Sequence, residues 1–207
     1  MINLYQNEWR LFKESYWKSF VVYFILFVGS GILSYFLFLG RERELTYFME
    51  EIMNMFDDKG LFKPGITSFT LALLLLKNNA TASFIIYVTG LFPIFIPAVL
   101  IIVANGALIG IVFSALKTSG EGILLPLLTA IVPHGIFEIP AVVLSASLSF
   151  YVSVGIIKKL MDSEFSLRTC LINSLKTFLL VVLPLLVIAA VVEAFITPAI
   201  IGMTVVY

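Results

Sequence analysis

Residues 80–116 read ATASFIIYVTGLFPIFIPAVLIIVANGALIGIVFSAL and contain no charged side chain. As one straight helix this stretch would be more than about 50 Å long, whereas the hydrocarbon core of a bilayer is about 30 Å thick. The stretch must therefore tilt strongly, break or fold back within a membrane. Residues 122–157 repeat the pattern, with Glu138 as their one charged side chain and His134 nearby.

The composition of the whole chain also predicts a membrane protein. Of its 207 residues, 60% are hydrophobic and 13% are charged, against about 25% charged residues in soluble domains. The 13 basic and 13 acidic residues balance, so no basic face is available for nucleic acid. The single cysteine, Cys170, excludes an intrachain disulfide. We predict an all-α fold, a polytopic transmembrane helix bundle whose main partner is the lipid bilayer.

The chain is predicted to form a single integral membrane domain over residues 1–207, with about five crossings. Its N-terminal segment places Tyr5, Trp9, Phe12 and Tyr16 on one helical face. This stripe favours an amphipathic helix at the membrane interface over residues 1–18, or a short helix packed on the protein's own surface. The remaining segments are a first span at 20–39, a polar loop at 40–65, long broken membrane helices at 66–157, a charged loop at 158–168, and a last span with a short apolar tail at 169–207.

Within the polar loop, apolar residues recur at helical spacing and predict an amphipathic helix over residues 44–56. Lys59-Gly60 and Pro64 should end it. The following apolar stretch, 66–76, is too short to cross and meets Lys77. It is predicted either to be a re-entrant or broken element or to be an ordinary helix that surfaces at Lys77.

Several residues in the long apolar tracts are candidate helix breaks. In the first tract these are Pro93, Pro97 and Gly106 with the preceding asparagine. The others are Pro126, Pro133, Gly135 and Pro140 in the second tract, and Pro198 near the end. Proline removes a backbone donor and clashes with the preceding turn, although membrane helices often tolerate it.

The charge pattern predicts the orientation of the chain. Residues 1–18 and 158–176 are both locally basic, whereas the loop 40–65 has more acidic than basic residues. Basic segments favour the cytoplasmic side. We therefore expect a multi-pass protein of the cell membrane with a cytoplasmic N-terminus, in which three passes, or one pass and a re-entrant pair, separate the loop 40–65 from residue 158.

Polar residues at membrane depth are the candidate functional residues, because an ionisable group there costs about 2.5–3.5 kcal/mol on insertion scales. His134 and Glu138 are four residues apart and would share one helical face. Pro133 would suit the first turn of a helix that begins inside the bilayer, as at many ion sites. A hydrogen-bonded clamp between helices is the alternative. The candidate ligand or ion-pathway residues are Asn78, Asn79, Asn105, His134, Glu138 and Glu193.

Enzymatic motifs are absent from the sequence. It contains no His-Glu-x-x-His, no Gly-x-Ser-x-Gly and no second histidine. A catalytic metal site made by His134, Glu138 and Glu193 is the least favoured hypothesis. We expect no catalytic residue, no bound metal and no cofactor.

Residues 133–141 read PHGIFEIPA and closely resemble the signature of the stage II sporulation protein M family. The resemblance extends from about residue 15 onward, with Asn78-Asn79, Asn105-Gly106 and Glu193 in matching order. It implies a polytopic protein with about five spans that acts as a scaffold: in spore-forming bacteria the namesake anchors peptidoglycan-degrading enzymes during engulfment. Members in archaea and non-sporulating bacteria show that this sporulation role is not general, so it is not carried over.

Two functions follow from these patterns. The first is a non-enzymatic scaffold or assembly factor in the membrane, whose partners are other membrane or envelope proteins or a second copy of the chain. Small residues that could mediate such contacts are Gly29, Gly31, Ala104, Gly106 and Gly110. The alternative is a channel or transporter for an ion, protons or a small solute, with His134 and Glu138 in an intramembrane polar site.

Overall fold

The computed structural model describes residues 2–61, 65–93 and 95–200, and every regular element in these ranges is a helix. The predicted all-α bundle is therefore confirmed. Five helices are long and apolar enough to cross a bilayer, whereas another is shorter and amphipathic. The helices are α1 (Asn3–Phe38), α2 (Glu42–Asp58), α3 (Ser68–Thr89), α4 (Ile96–Thr118), α5 (Leu124–Met161) and α6 (Leu167–Ile200).

The five long helices alternate in direction, so the bundle has two distinct ends. At one end, the backbone N–H of Gly40 donates to the Thr118 hydroxyl at 3.1 Å, which joins the ends of α1 and α4. We call this the α2 end, because α2 lies there. The opposite, N-terminal end holds the beginnings of α1 and α6, where the Thr177 hydroxyl donates to Glu8. Helices α3, α4 and α5 are thus the three passes between the loop 40–65 and residue 158.

Helix α5 is the centre of the bundle. In its most apolar stretch 67% of residues are buried, compared with 17% to 28% in the other four long helices. Its second half, from Ala141 to Gly155, is rich in small residues, and these allow close approach. The Ser149 hydroxyl lies 3.1 Å from that of Thr89, and Ser153 donates to the Gly90 carbonyl at 3.0 Å. A Cβ atom on Gly90 would overlap the Ser149 backbone, so α3 and α5 are in backbone contact here.

A separate interfacial helix is one prediction for residues 1–18, and this prediction is wrong. The N-terminal segment continues into the first span through a π-helical turn at Phe12–Tyr16. Its inner face packs on α6, where the buried Glu8 carboxylate accepts a hydrogen bond from Thr177 at 2.5 Å. Tyr16 is fully buried and its ring lies edge-on to that of Tyr151 at 5.0 Å. The alternative prediction, a helix that packs on the protein's own surface, therefore describes this segment.

The amphipathic helix predicted for residues 44–56 is confirmed as α2. It ends where expected, because Lys59 caps it and Gly60 has a φ of 73°, a left-handed conformation that glycine adopts without strain. Leu45 is 3% exposed and fixes the inner face of α2. Pro64 and the apolar tail from residue 201 onward lie outside the described residues.

The break predicted around Pro93 is confirmed, since α3 ends at Thr89 and α4 begins at Ile96 with Pro97 in its first turn. The re-entrant element predicted at residues 66–76 is wrong. Helix α3 runs without interruption through Lys77, Asn78 and Asn79. The two asparagines do not surface at a membrane boundary, because a polar cavity inside the bundle receives their side chains.

The breaks predicted at Pro133, Gly135, Pro140 and Pro198 are wrong, since α5 and α6 continue through these positions. A π-helical turn ends two residues before Pro133, at Leu127–Ile131, and another two residues before Pro198, at Val192–Ile196. The wider turn gives the proline ring room where an α-helix would clash. Pro140 lies within regular α-helix, which membrane helices accommodate.

Gly106 is not a break either, because α4 is continuous and Gly106 is an interhelical contact. A Cβ atom at Gly106 would overlap the Phe27 carbonyl of α1, and one at Gly110 would overlap the Gly31 carbonyl. An interhelical hydrogen bond secures the same contact, from the Ser34 hydroxyl to the Ala107 carbonyl at 2.9 Å. Helices α1 and α4 therefore pack with their backbones in contact.

Replacement of Gly110 by alanine should separate α1 from α4. We expect Gly110→Ala to lower the free energy of unfolding by about 1–3 kcal/mol, the usual cost of overpacking. Gly29→Ala is the matched control, because no atom lies within 4 Å of a Cβ atom there. Thermal unfolding of the purified protein in detergent measures both, and equal midpoints for the two variants would contradict the backbone contact.

Candidate intramembrane binding site

All six polar residues singled out in the sequence line one cavity of about 460 Å³. We call it the polar cavity. Four different helices supply its polar residues, so the site exists only in the assembled bundle. They are Asn78 and Asn79 of α3, Asn105 of α4, His134 and Glu138 of α5, and Glu193 of α6.

The imidazole and the two carboxylates form the centre of the polar cavity. His134, Glu138 and Glu193 each place one ligand atom within 4.8 Å of the other two. The Asn79 side chain lies beside the Glu138 carboxylate, and Asn78 donates to the Asn79 amide oxygen at 3.1 Å. An electronegative pocket results, with amides beside the carboxylates.

The polar cavity lies deep in the bundle, and not at a membrane surface. At 1.5 Å per residue, Asn79 is about 16 Å along α3 from Ser68, in a helix about 33 Å long. Asn105 lies about 20 Å from Thr118 at the α2 end of α4. Both positions are close to the middle of a hydrocarbon core about 30 Å thick.

The polar cavity faces the α2 end and is closed toward the N-terminal end. Met55 and Lys59, both exposed, lie on its wall where α2 ends. Ile86 and Val142 also line it, and both belong to an apolar core in which Ile86 and Val143 are fully buried. The two exposed residues therefore lie on the α2 side of the cavity, and the buried apolar ones lie toward the N-terminal end.

The alternative prediction for His134 is a hydrogen-bonded clamp between helices. Its Nδ1 atom does not take part in such a bond with any described residue. This nitrogen is buried and has no hydrogen-bond partner among the described residues. Asn105 bonds back to its own helix, where its amide donates to the Ile101 carbonyl at 2.8 Å. The polar groups thus line an open space and are not fully paired with one another.

Lys59 and Met55 are residues of the polar cavity that the sequence did not single out. They belong to the end of an amphipathic helix in a charged loop, so their residue types look like those of any solvated surface. Only the fold, which lays the end of α2 over the bundle, brings them to the site. Lys59 is a positive charge on the wall of the electronegative pocket.

Comparison with known proteins identifies the family. The profile of the family described as stage II sporulation protein M matches residues 20–198. The chain belongs to this family. The matched range includes all six polar residues of the cavity, so the polar cavity lies entirely within the family's own region.

Two similar proteins come from the archaeon Methanocaldococcus jannaschii, and both are described as uncharacterized. MJ0706 is 31% identical over 125 residues, which cover 58% of this chain and 53% of that protein. MJ0793 is 32% identical over 130 residues, which cover 61% of this chain and 70% of that protein. The match therefore spans about half the length of the first relative. No solved structure matches the chain.

Cysteine labelling can test whether water reaches the polar cavity. In a Cys170→Ala background, we expect Asn105→Cys to react with a small, water-soluble thiol reagent, because Asn105 is exposed to the cavity. Ile102→Cys is the matched control on the same helix, since Ile102 is fully buried. Labelling in sealed vesicles should come from one side only. A folded Asn105→Cys variant that does not react would mean that the cavity is dry.

Proposed function

We propose that this protein is a membrane transporter or channel for a small cation. The observation that supports it is the convergence of six polar side chains from four helices on one cavity near the middle of the bundle. Ionisable groups at such depth usually mark a substrate or ion pathway. Two carboxylates, one imidazole and three amides offer mainly acceptor atoms, and these favour a positively charged occupant.

A cavity open toward one end and closed toward the other suits alternating access. Close contacts between α3 and α5 at Gly90 and Ser149 form the closed end. Transport would require these contacts to separate while the α2 end closes. Such rocking of helices around a fixed central site is a common transport mechanism.

We further propose that the N-terminal end of the bundle is cytoplasmic and that the membrane is the cell membrane. The basic segment that begins the chain, described from residue 2 to residue 18, lies with residues 158–176 at that end, as the positive-inside rule favours. In this orientation the polar cavity opens toward the outside. The structure would then represent an outward-open state.

A non-enzymatic scaffold is the competing proposal, and the family resemblance favours it. A surface for a partner helix exists, namely an apolar groove of about 640 Å³ between α1, α4 and α5. Phe24, Val28 and Ile32 of α1 line this groove together with Ile136 of α5. A scaffold, however, needs no cavity of polar groups at membrane depth, so the groove alone supports it less strongly.

Flux into sealed proteoliposomes distinguishes these proposals. We expect wild-type protein to move at least one of protons, monovalent cations and divalent cations, and Glu138→Gln to lower that flux about tenfold or more, as loss of a buried ion ligand does. Glu121→Gln is the matched control, because it removes the same charge from an exposed turn between α4 and α5. Each variant is first shown to be folded by gel filtration and thermal unfolding.

Two outcomes would contradict the transport proposal. Wild-type protein that carries none of these ions in either direction would favour the scaffold. So would a flux that Glu138→Gln and Glu121→Gln preserve equally, because the pathway would then lie outside the polar cavity.

A further inference from the structure

From the geometry of the polar cavity, we infer that it holds a divalent transition-metal ion between His134, Glu138 and Glu193. This inference rests on the proposed function, since it names the class of cation. The three side chains place one ligand atom each within 4.8 Å of one another. Metal ligands lie about 2.0–2.2 Å from zinc and similar ions, so two ligands of one ion are separated by about 4.4 Å at most. Small side-chain rotations would complete the site.

The charge of the site selects a divalent ion over a monovalent one. The carboxyl groups of Glu138 and Glu193 lie close together, so they repel one another when both are ionised, and each charge is costly at membrane depth. A divalent cation neutralises both, which removes most of the cost of holding them at membrane depth. A single sodium ion would leave one negative charge uncompensated, whereas protons can neutralise both carboxylates and would compete with the metal ion.

The imidazole of His134 selects a transition metal over calcium or magnesium. Calcium and magnesium take oxygen ligands almost exclusively, whereas imidazole suits zinc, iron and nickel, and carboxylates suit manganese. A set of one nitrogen and two carboxylates is therefore typical of ions such as Zn²⁺, Mn²⁺ or Fe²⁺. The amides of Asn79 and Asn105 line the same cavity and could orient the ligands or complete the shell.

The Nδ1 atom of His134 is a second observation that points to an occupant, because it is buried and has no hydrogen-bond partner among the described residues. A buried polar atom without a partner costs free energy. Metal-bound histidines are usually oriented through both ring nitrogens, one on the ion and one on a neighbouring acceptor. Binding would thus turn a poorly satisfied side chain into a ligand.

Lys59 is the competing source of positive charge, because it lines the same cavity. Lysine carries one charge on a flexible stem and provides only donors. It sits at the exposed end of α2, at the wall of the cavity. In a metal site, Lys59 would lower the affinity for the ion by repulsion and would not replace it.

Equilibrium dialysis of the purified, metal-stripped protein in detergent tests the inference, with bound metal measured by mass spectrometry. We expect wild type to bind one equivalent of Zn²⁺ or Mn²⁺ in preference to Mg²⁺ and Ca²⁺. Glu193→Gln and His134→Ala should weaken binding about 10- to 100-fold or more. Glu121→Gln should bind as wild type does, and Lys59→Ala equally or more tightly. Co²⁺ should give a visible absorption band that His134→Ala changes.

The outcomes separate this inference from the transport proposal. Folded wild type without stoichiometric binding, or binding that Glu193→Gln and Glu121→Gln retain equally, would overturn the metal site. If protons or monovalent ions still cross the membrane in that case, the transport proposal stands. If instead the metal binds but nothing crosses, the metal site stands and transport is wrong.

Discussion

Close backbone contact between α3 and α5 determines where the polar cavity forms. Gly90 meets Ser149 at this contact, and Asn79 meets Glu138. Asn79 precedes Gly90 on α3, and Glu138 precedes Ser149 on α5, by the same interval of about three helical turns. Because the two helices run in parallel, a contact made at the small residues repeats three turns earlier as a contact between polar residues. The register that packs the closed end therefore also aligns the amide with the carboxylate.

The same relation holds for the helices that complete the site. Asn105 faces the cavity, while the adjacent Gly106 brings α4 against the backbone of α1. Glu193 faces the cavity, while the adjacent Ala194 is buried against α3. Neighbouring residues differ by about 100° in direction on an α-helix, and by less in a π-helical turn, so one can make the close contact and the next can reach the site. Polar and small residues are therefore parts of one arrangement.

The fold class could be predicted from the sequence, and so could the six polar residues that line the cavity, because the cost of placing a polar group in lipid is a local property. The helix breaks could not. A proline removes one donor in any helix, but whether the chain breaks depends on the turn before it, and π-helical turns relieve the clash before Pro133 and Pro198. Convergence of the six residues depends on the registers of four helices, and no spacing within one helix contains that information. Lys59 could not be found for the same reason.

The polar cavity also bears on whether the buried polar groups act only as structural glue. A structural clamp is most stable when its members satisfy one another, since each unpaired buried group costs about 1–3 kcal/mol. Here the carboxyl groups of Glu138 and Glu193 lie side by side, and the Nδ1 atom of His134 is unpartnered among the described residues. Leucine at these positions would stabilise an inert bundle better. An occupant that binds only the folded state would offset this cost, and folding would then be coupled to occupancy of the cavity.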